Sequence, residues 1–514
     1  MPENDYIAIL DFGSQYTQLI ARRTREASVY CEIHPPAVDP EALKKHRLKG
    51  IILSGGPASA TSKKAPACDP RILNLGVPVL GICYGLQIGA RLLGAKVVPS
   101  DGREYGRTEL TVREPEKLFR GVPQDSTVWM SHGDKVEAQS KDFLALASTR
   151  HCPWAAVRHR HLPFYGVQFH PEVHHTPHGP QILRNFLYAI CGCRGDWEMK
   201  SYVDNAVAEI RRLAGKDHVL CALSGGVDSG VTAALVHKAV SGRLTCVFVD
   251  NGLLRKGEAR RVRDFFEKRM RLNLLCVDAS DKFLKALRGI TDPEKKRIAV
   301  GRTFIDVFRA AARPLRSVRY LAQGTLYPDL IESRPAFGGP TAKIKSHHNV
   351  GGLPDRLGFQ LIEPLRFLFK DEVRRIGREL GLPEEIVQRQ PFPGPGLAVR
   401  CVGPVTPRRL EILREADDIV TQEIEKAGLQ TKLWQYFAML LPVRSVGVMG
   451  DERTYQEVAV IRLVESLDGM TADWSRVPHE ILGTISTRIV NEVRGINRVV
   501  YDVSSKPPAT IEWE

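Results

Sequence analysis

Short apolar runs alternate with segments of helical period from Tyr6 to about Leu380, and this alternation restricts the possible folds more than any other feature of the chain. The apolar runs cover residues 7–10, 50–53, 77–82, 219–223, 245–249, 274–277 and 319–322. Strands that alternate with helices typically form a parallel sheet with helices on both of its faces. The pattern therefore predicts an α/β fold.

Two breaks in this pattern indicate how the chain divides. At 514 residues it is too long for one core, and about 150 residues per domain gives about three domains. Gly, Arg and Asp interrupt the pattern at 191–200, and the Pro-Gly segment QPFPGPG at 390–396 cannot continue a helix or a central strand. We therefore expect two consecutive parallel-sheet α/β domains, at 1–195 and 196–389, and then a small α+β domain at 390–514.

The net charge of +14 is spread along the chain rather than collected in one tail. A basic surface is the simplest explanation, and the spread favours phosphate-bearing small molecules over nucleic acid as partners. No run of about 18 apolar residues occurs and the first residues are polar, so we expect neither a membrane span nor a signal sequence. The ten cysteines lack the paired spacing of a disulfide framework or a zinc site, and we expect a cytoplasmic protein.

Cys83 follows the apolar run VPVLGI and precedes an amphipathic segment that extends to about Leu93. This order of strand, tight turn and helix is that of a nucleophile elbow, with Gly81 and Gly85 on either side of the turn. The positive end of the helix dipole and its free N–H groups would favour the thiolate form of Cys83. A buried structural cysteine is the competing interpretation.

A base for such a nucleophile is available in His170, which follows the strand-like residues 164–169. Glu172 lies two residues further on, and a cysteine–histidine pair oriented by a carboxylate is suited to acyl transfer. The glycine turn SGGP at 54–57 is free to present backbone N–H groups to an oxyanion. A metal site is the alternative, because three more histidines crowd the same segment: His174, His175 and His178.

Three motifs in this order, SGGP at 54–57, GICYGLQ at 81–87 and GVQFHPE at 166–172, resemble those of the class I glutamine amidotransferases. The resemblance covers about the first 190 residues and implies that glutamine is hydrolysed to glutamate and ammonia. It implies Cys83 as nucleophile, His170 as base and acid, and Glu172 as the residue that orients the histidine. It also implies roles for the Gly56 and Tyr84 N–H groups on the oxyanion, and for Gln87 beside the glutamine substrate.

A second loop follows the apolar run at 219–223 and precedes an expected helix at 230–240; it consists of Ser224, Gly225, Gly226, Val227, Asp228 and Ser229. Its glycines let backbone N–H groups converge, and the helix that follows adds positive potential, so the loop is suited to phosphate. Asp228 is a candidate ligand for Mg²⁺. The loop lacks the lysine of a GxxxxGK[ST] motif, and an ordinary turn between strand and helix is the alternative.

The hexapeptide SGGVDS resembles the pyrophosphate loop of the N-type ATP pyrophosphatases, which cleave ATP between its α and β phosphates and adenylate a substrate oxygen. The resemblance implies that all six loop residues bind ATP, with Mg²⁺, and that the Val249 backbone contacts the adenine. Gly324 and Thr325 follow another strand-like run. In open α/β sheets ligands bind at this carboxyl edge, so we expect both residues at the ATP site.

Further segments extend the resemblance over nearly the whole chain, to a family of ligases that aminate XMP to GMP with ATP and glutamine. The segments are AQGTLYPDLIES from 322, KIKSHHNVGG at 343–352, QPFPGPGLAVR at 390–400 and KPPATIEWE at 506–514. The resemblance implies that XMP contacts Arg297, Lys506, Ile511 and Glu512. It also implies a homodimer formed through the C-terminal domain.

Two smaller expectations concern the XMP site. A glycine-flanked basic segment is typical of a mobile lid over phosphates, and its charged members are Lys343, Lys345, His347 and His348. Phe392 of the Pro-Gly segment could face the purine ring, or it could pack in the core. Two other functions stay open at this point: a ligase that amidates another acceptor, and a basic RNA-binding protein with relict sites.

Overall fold

The computed structural model describes residues 4–44, 47–62, 65–137, 141–315, 318–332, 359–449, 452–466 and 471–514. The chain divides into two compact units, one that holds residues 1–202 and one that holds nearly all of residues 203–514. Among the described residues, no helix has both the length and the apolar character needed to span a membrane.

The first unit is built on one mixed sheet, and the strands in its described residues are β1 (Asp5–Leu10), β2 (Tyr30–His34), β3 (Arg47–Leu53), β4 (Val79–Ile82), β5 (Lys96–Val112), β6 (Asp125–Glu137), β7 (Phe143–Ser148), β8 (Ala156–His159) and β9 (Phe164–Val167). Their order in the sheet is β2-β1-β3-β4-β9-β8-β7-β5-β6. The first five run parallel, and the other four continue the sheet with antiparallel pairing.

The predicted parallel sheet is thus one half of a larger mixed sheet. The links from β7 to β8 and from β8 to β9 cover only residues 149–155 and 160–163. Such short links cannot hold a crossover helix, so the strands that they join run antiparallel. The helices of this unit are α1 (Thr17–Glu26), α2 (Pro40–Leu43), α3 (Tyr84–Leu92) and α4 (Gly179–Arg184), which continues as a π-helical segment, Asn185–Ile190.

The turn between β4 and α3 is closely packed. A Cβ atom on Gly81 would lie 2.5 Å from the Leu86 nitrogen, and one on Gly85 would lie 2.2 Å from the Leu53 oxygen. Both neighbours are backbone atoms, which cannot move aside as a flexible side chain can. The two glycines therefore allow α3 to start directly at the edge of the sheet.

The α/β part of the second unit contains a sheet in which every pair of described strands is parallel. After helix α5 (Met199–Ala214), its strands are β10 (His218–Leu223), β11 (Leu244–Asp250), β12 (Asn273–Asp278), β13 (Val318–Ala322) and β14 (Gln360–Ile362), in the order β12-β11-β10-β13-β14. Its helices are α6 (Val227–Val240), α7 (Glu258–Arg263), α8 (Ser280–Leu287), α9 (Pro293–Ala312), α10 (Tyr327–Glu332), α11 (Lys370–Glu379) and α12 (Glu384–Val387).

Helix α6 begins at Val227, three residues before the predicted start at Gly230. A hydrogen bond of 3.0 Å from the Gly230 nitrogen to the Gly226 oxygen closes its first turn. The predicted start was wrong because the end of the phosphate loop is itself helical. Asp228 and Ser229 consequently lie in the first turn of α6.

The remaining strands form a smaller mixed sheet: β15 (Gln435–Met449), β16 (Glu452–Glu465), β17 (Asp473–Trp474) and β18 (Ile496–Tyr501). Helices α13 (Pro407–Lys426) and α14 (His479–Glu492) accompany it. One apolar core runs from Leu220 and Phe308 to Leu413 and Ile489, so segments before and after residue 390 share it. The α+β character of this region is confirmed, and the two domain boundaries, at 195/196 and 389/390, stay a prediction.

We predict that Gly85→Ala destabilises the first unit by about 1–3 kcal/mol, the usual cost of overpacking. Alanine gains about 1 kcal/mol of helix propensity over glycine, but its Cβ would overlap a backbone oxygen that is fixed in β3. Gly133→Ala is the control, because a Cβ there meets no atom within 4 Å. Urea unfolding followed by circular dichroism measures both, and equal midpoints for the two variants would contradict the packing argument.

Candidate active sites

The residues predicted for the first centre lie at the carboxyl edge of the parallel half-sheet. Gly56 follows β3, Cys83 follows β4, and His170 and Glu172 follow β9. Strands β3, β4 and β9 are consecutive neighbours in the sheet. Parallel strands present their carboxyl ends on the same edge, so segments more than 80 residues apart in the sequence meet there.

Cys83 occupies the strained turn that a nucleophile elbow requires. Its φ of 52° and ψ of −107° put a non-glycine residue at positive φ, and α3 begins at the next residue. The Cys83 nitrogen donates a hydrogen bond of 2.8 Å to the Val167 oxygen of β9. Its sulfur, buried at 5% exposure, lies 3.6 Å from the Ser131 oxygen. The thiol is therefore held at the junction of β4, β6 and β9.

His170 is bound on both sides by acidic groups. Its Nδ1 lies 2.8 Å from Glu172 Oε1, which leaves Nε2 for the side-chain hydrogen bond with Cys83. Burial alone would lower the pKa of His170, but the charges of Glu172 and Cys83 and the hydrogen bonds to both outweigh burial and raise that pKa well above its ordinary value. The contacts with Glu172 on one side and Cys83 on the other therefore favour the protonated form of His170.

The backbone around His170 is also fixed. Its nitrogen donates to the Trp129 oxygen at 3.0 Å, and its oxygen accepts from the Thr176 hydroxyl at 2.7 Å. The Tyr16 ring meets the imidazole edge-on, with 5.1 Å between ring centroids. Of the three other histidines, His175 stacks on Trp129 at 4.5 Å. Within the described ranges, no group of three His, Cys, Asp or Glu side chains is arranged to hold a metal ion.

The predicted oxyanion donors, Gly56 and Tyr84, follow the neighbouring strands β3 and β4. Tyr84 is the first residue of α3, and the first N–H groups of a helix have no partner within it. At Gly56 a Cβ would lie 2.8 Å from the Phe12 oxygen and 3.2 Å from the Tyr84 ring. Gln87 donates a hydrogen bond of 2.8 Å from Nε2 to the Asp134 main-chain oxygen, and this contact is buried.

Four buried or half-buried residues of this site were missed by the sequence reasoning: Ser131, His132, Asp134 and Gln168. Three of them lie on β6, which reaches the site from the antiparallel half of the sheet. His132 lies between the Asp134 oxygen (3.0 Å) and Glu104 Oε2 (3.3 Å). Burial lowers the pKa of His132, and Glu104 opposes that effect. The SHGD sequence at 131–134 was the available signal.

The second centre lies at the carboxyl edge of the parallel sheet of the second unit. The loop of residues 224–229 follows β10, Val249 is near the end of β11, and Gly324 and Thr325 follow β13. The Ser224 and Ser229 hydroxyl oxygens are 3.0 Å apart, and Ser229 also contacts the Gly226 oxygen at 3.1 Å. These bonds hold the loop as an open turn whose glycine, Gly225, has a φ of 78°.

Arg389 supports this loop from behind and was also missed. Its guanidinium donates to the Gly225 oxygen and pairs with the buried Glu258. Burial, and then the positive charge of Arg255, lower the pKa of Arg389 to about 10. A single arginine in a region rich in proline carried no sequence signal for this role.

The two carboxylate oxygens of Asp228 have different surroundings. Its Oδ2 lies 3.6 Å from Lys370 Nζ, whereas Oδ1 is buried without a hydrogen-bond partner among the described residues. Burial raises the pKa of the Asp228 carboxyl, Lys370 opposes this, and Asp329 adds to it. Gly324 lies against the Asp228 backbone, where a Cβ would come within 3.1 Å. An open carboxylate oxygen on Asp228, with the Asp329 carboxylate nearby, fits a divalent cation that takes its other ligands from phosphates and water.

The residues predicted for XMP have different partners in the structure. Arg297 donates to the main-chain oxygen of Glu514, and the neighbouring Lys296 pairs with the Glu514 carboxylate. Lys506 instead forms a backbone bridge with Ala472.

The Glu512 carboxylate is already engaged. It accepts two hydrogen bonds from Arg400, at 2.7 and 3.1 Å, and Ile511 packs against a small cluster that contains Phe437. The Arg400 guanidinium also lies 5.2 Å from the centre of the Phe392 ring, and that of Arg255 lies 5.0 Å from it. Phe392 therefore has two cations as neighbours. The predicted lid residues Lys343, Lys345, His347 and His348 lie outside the described residues.

Comparison with known proteins gives similarity over the full length. The family described as glutamine amidotransferase class-I matches residues 8–190, and the family described as GMP synthase C terminal domain matches residues 422–513. Proteins named glutamine-hydrolysing GMP synthase are 56% identical in Caldanaerobacter subterraneus subsp. tengcongensis (100% of this chain, 99% of the relative). The corresponding figures are 57% in Thermomicrobium roseum (100% and 97%) and 55% in Heliobacterium modesticaldum (99% and 99%).

We predict that the pKa of His170 falls in Cys83→Ala and in Glu172→Gln, because each change removes one of the negative charges that raise it. The wild-type imidazole should keep its proton as the pH rises past about 6.5, and each variant should lose it at a lower pH than the wild type. Carbon NMR of histidine-labelled protein measures this, with His170→Gln to assign the signal. Histidine signals from the second unit should titrate at the same pH in the wild type and in every variant. An unchanged His170 titration would exclude the ion-pair geometry.

Proposed function

This chain belongs to the family of glutamine-hydrolysing GMP synthases, and we propose that its two sites divide one ligase reaction between them. Glutamine is hydrolysed at Cys83, and XMP is adenylated with ATP and then aminated to GMP at the loop of residues 224–229. One observation carries the proposal: the Cys83–His170–Glu172 set and an intact phosphate loop occur in one chain that is similar to these ligases from end to end.

At the first site His170 takes the proton of the Cys83 thiol, and the sulfur attacks the side-chain carbonyl carbon of glutamine. The N–H groups of Gly56 and Tyr84 stabilise the oxyanion that forms. His170 returns its proton to the nitrogen, ammonia leaves, and a thioester remains. Water, deprotonated by His170, then releases glutamate and restores the thiol. Glu172 holds the imidazole in the orientation that these transfers require.

At the second site the loop binds the phosphates of ATP, with Val249 at the adenine and Gly324 and Thr325 beside the loop. The oxygen on C2 of XMP attacks the α-phosphorus, and pyrophosphate leaves. This adenylation matters because the oxygen of XMP is a poor leaving group, whereas AMP leaves readily. Ammonia from the first site then attacks C2 as the neutral base, AMP departs, and GMP is formed.

Mg²⁺ accompanies ATP in this proposal, and Asp228 is the residue that would hold it. Supporting this are the open, buried Oδ1 and the neighbouring Asp329. Bound there, the cation would neutralise charge on the phosphates. XMP is assigned to the cations Arg297 and Lys506 and to Ile511 and Glu512, with residues 343, 345, 347 and 348 as the lid.

We further propose that the protein is a cytoplasmic homodimer. All ten of its cysteines are free thiols, as is usual in a reducing compartment. On the third sheet Val446 lies opposite Tyr455, and they are 51% and 60% exposed; Val448, two residues along the same strand, is 72% exposed. Residues at these positions share one face of the sheet. This apolar strip, bordered by the exposed Arg453 opposite Val448, is suited to a second copy of the same sheet.

The main test separates the two nitrogen sources. Cys83→Ala should lose glutamine-dependent GMP formation by about 10⁴-fold or more, as expected when a nucleophile is removed. It should keep ammonia-dependent GMP formation within about twofold, because the second site is unchanged. GMP and pyrophosphate are measured with XMP and ATP, using either glutamine or ammonium chloride.

Asp228→Asn is the matched variant at the other site and should lower GMP formation with both nitrogen sources. A Cys83→Ala protein that ammonia fails to rescue, with pyrophosphate release also lost, would contradict the division of labour. Pyrophosphate release that responds to another acceptor and not to XMP would indicate a ligase of different specificity.

The dimer is tested by sedimentation. Wild-type protein should sediment near twice the chain mass of 57.3 kDa. A Val448→Lys, Tyr455→Lys double variant should shift toward the monomer, because it buries two charges in the apolar strip. Tyr105→Lys is the control, since Tyr105 is 63% exposed but lies on another sheet. A wild-type monomer, or a double variant that stays dimeric, would refute this interface.

A further inference from the structure

The sulfur of Cys83 has a neighbour that the mechanism above does not use. Gln168 Nε2 lies 3.7 Å from Cys83 Sγ, and the Gln168 side chain is fully buried. The Ser131 oxygen lies 3.6 Å from the same sulfur. A carbonyl oxygen can accept a hydrogen bond from a thiol but offers nothing to a thiolate. An amide N–H serves the thiolate and contributes most when the sulfur is charged.

The backbone brings Gln168 to this position. Ile82 of β4 lies opposite Val167 of β9, so the residues that follow, Cys83 and Gln168, leave the sheet side by side. The Cys83 nitrogen donates to the Val167 oxygen, and the Gln168 nitrogen donates to the Ala155 oxygen at 2.8 Å. Both ends of the contact are therefore held by the sheet.

The orientation of the Gln168 amide follows from its other neighbours. The Asp134 oxygen can only accept, so the group that Gln87 presents to it at 2.8 Å must be the NH₂. The same Gln87 nitrogen lies 3.4 Å from the side-chain oxygen of Gln168. With its oxygen toward Gln87, Gln168 must present its NH₂ to the sulfur. The contacts from Gln87 to Asp134 and from Gln87 to Gln168 thus fix the Gln168 NH₂ group as the donor to the sulfur.

We propose that Gln168 is a further catalytic residue, which stabilises the Cys83 thiolate by donating an amide hydrogen bond to the sulfur. The inference rests on the proposed role of Cys83 as nucleophile. As the thiol proton passes to His170 Nε2, the sulfur gives up its bond to the Ser131 oxygen and keeps the one from Gln168. No proton leaves the amide. When the sulfur's electron pair forms the thioester, the negative charge disappears and this hydrogen bond weakens.

The test measures the thiolate without any substrate. The rate of Cys83 alkylation by iodoacetamide is followed against pH in the full chain, with Cys83→Ala to give the background from the other cysteines. In Gln168→Leu the rate at pH 7 should fall about tenfold or more, and the pH profile should move up by about one unit, the usual effect of losing a hydrogen bond to a charged group. Gln168→Glu has the same shape and should be slower still, because a carboxylate repels the thiolate.

Gln181→Leu is the control, because Gln181 is exposed and donates to Asn185 on its own helical segment. Its alkylation profile should match that of the wild type, and ammonia-dependent GMP formation should be unchanged in all three glutamine variants. A Gln168→Glu profile that coincides with the wild type would overturn the proposal, even if glutamine use were lost. Cys83→Ala with intact glutamine use would instead refute the proposed function, so the two failures are distinguishable.

Discussion

The parallel pairing of β4 with β9 is the constraint on which the first site depends. It places Ile82 opposite Val167 and lets the Cys83 nitrogen bond to the Val167 oxygen. No local interaction could bring residue 83 to residue 170, because the strands β5 to β8 lie between them in the sequence. The register matters as well, since a shift by one residue would turn side chains to the opposite face. The relative placement of Cys83, His170 and Gln168 is thus a property of the sheet, which loops alone could not supply.

Backbone strain at Cys83 is tolerated because the packing around it leaves no alternative. A non-glycine residue at φ 52° costs of order 1–3 kcal/mol. Gly81 and Gly85 admit α3 so close to the sheet that a Cβ at either would meet a backbone atom. The same closeness puts the N-terminus of α3 beside the sulfur, where unpaired N–H groups favour negative charge. The strain and the catalytic environment therefore have one origin.

The elements and loops could be predicted from the sequence wherever one segment carries its own signal. The apolar runs at 219–223, 245–249 and 274–277 became β10, β11 and β12, and the expected order of strand, loop and helix was found at residues 218–240. Ser131, Asp134 and Gln168 could not be assigned, because their roles come from which strands are neighbours, and periodicity does not give strand order. Arg389 was missed for a similar reason. Its partners, the Gly225 oxygen and Glu258, are 164 and 131 residues away in the sequence.

The last residues of the sequence illustrate how stability and binding become linked. Arg400 is fully buried, and its guanidinium donates a hydrogen bond to the Glu512 carboxylate. Removing one partner of a buried ion pair costs about 3–5 kcal/mol, since the other charge is left uncompensated. Lys296, also fully buried, depends on Glu514 in the same way. Loss of activity on changing Glu512 would therefore combine loss of the proposed nucleotide contact with release of the tail. A Glu512→Gln protein separates the two, because it keeps a hydrogen-bond acceptor for Arg400 while removing the charge.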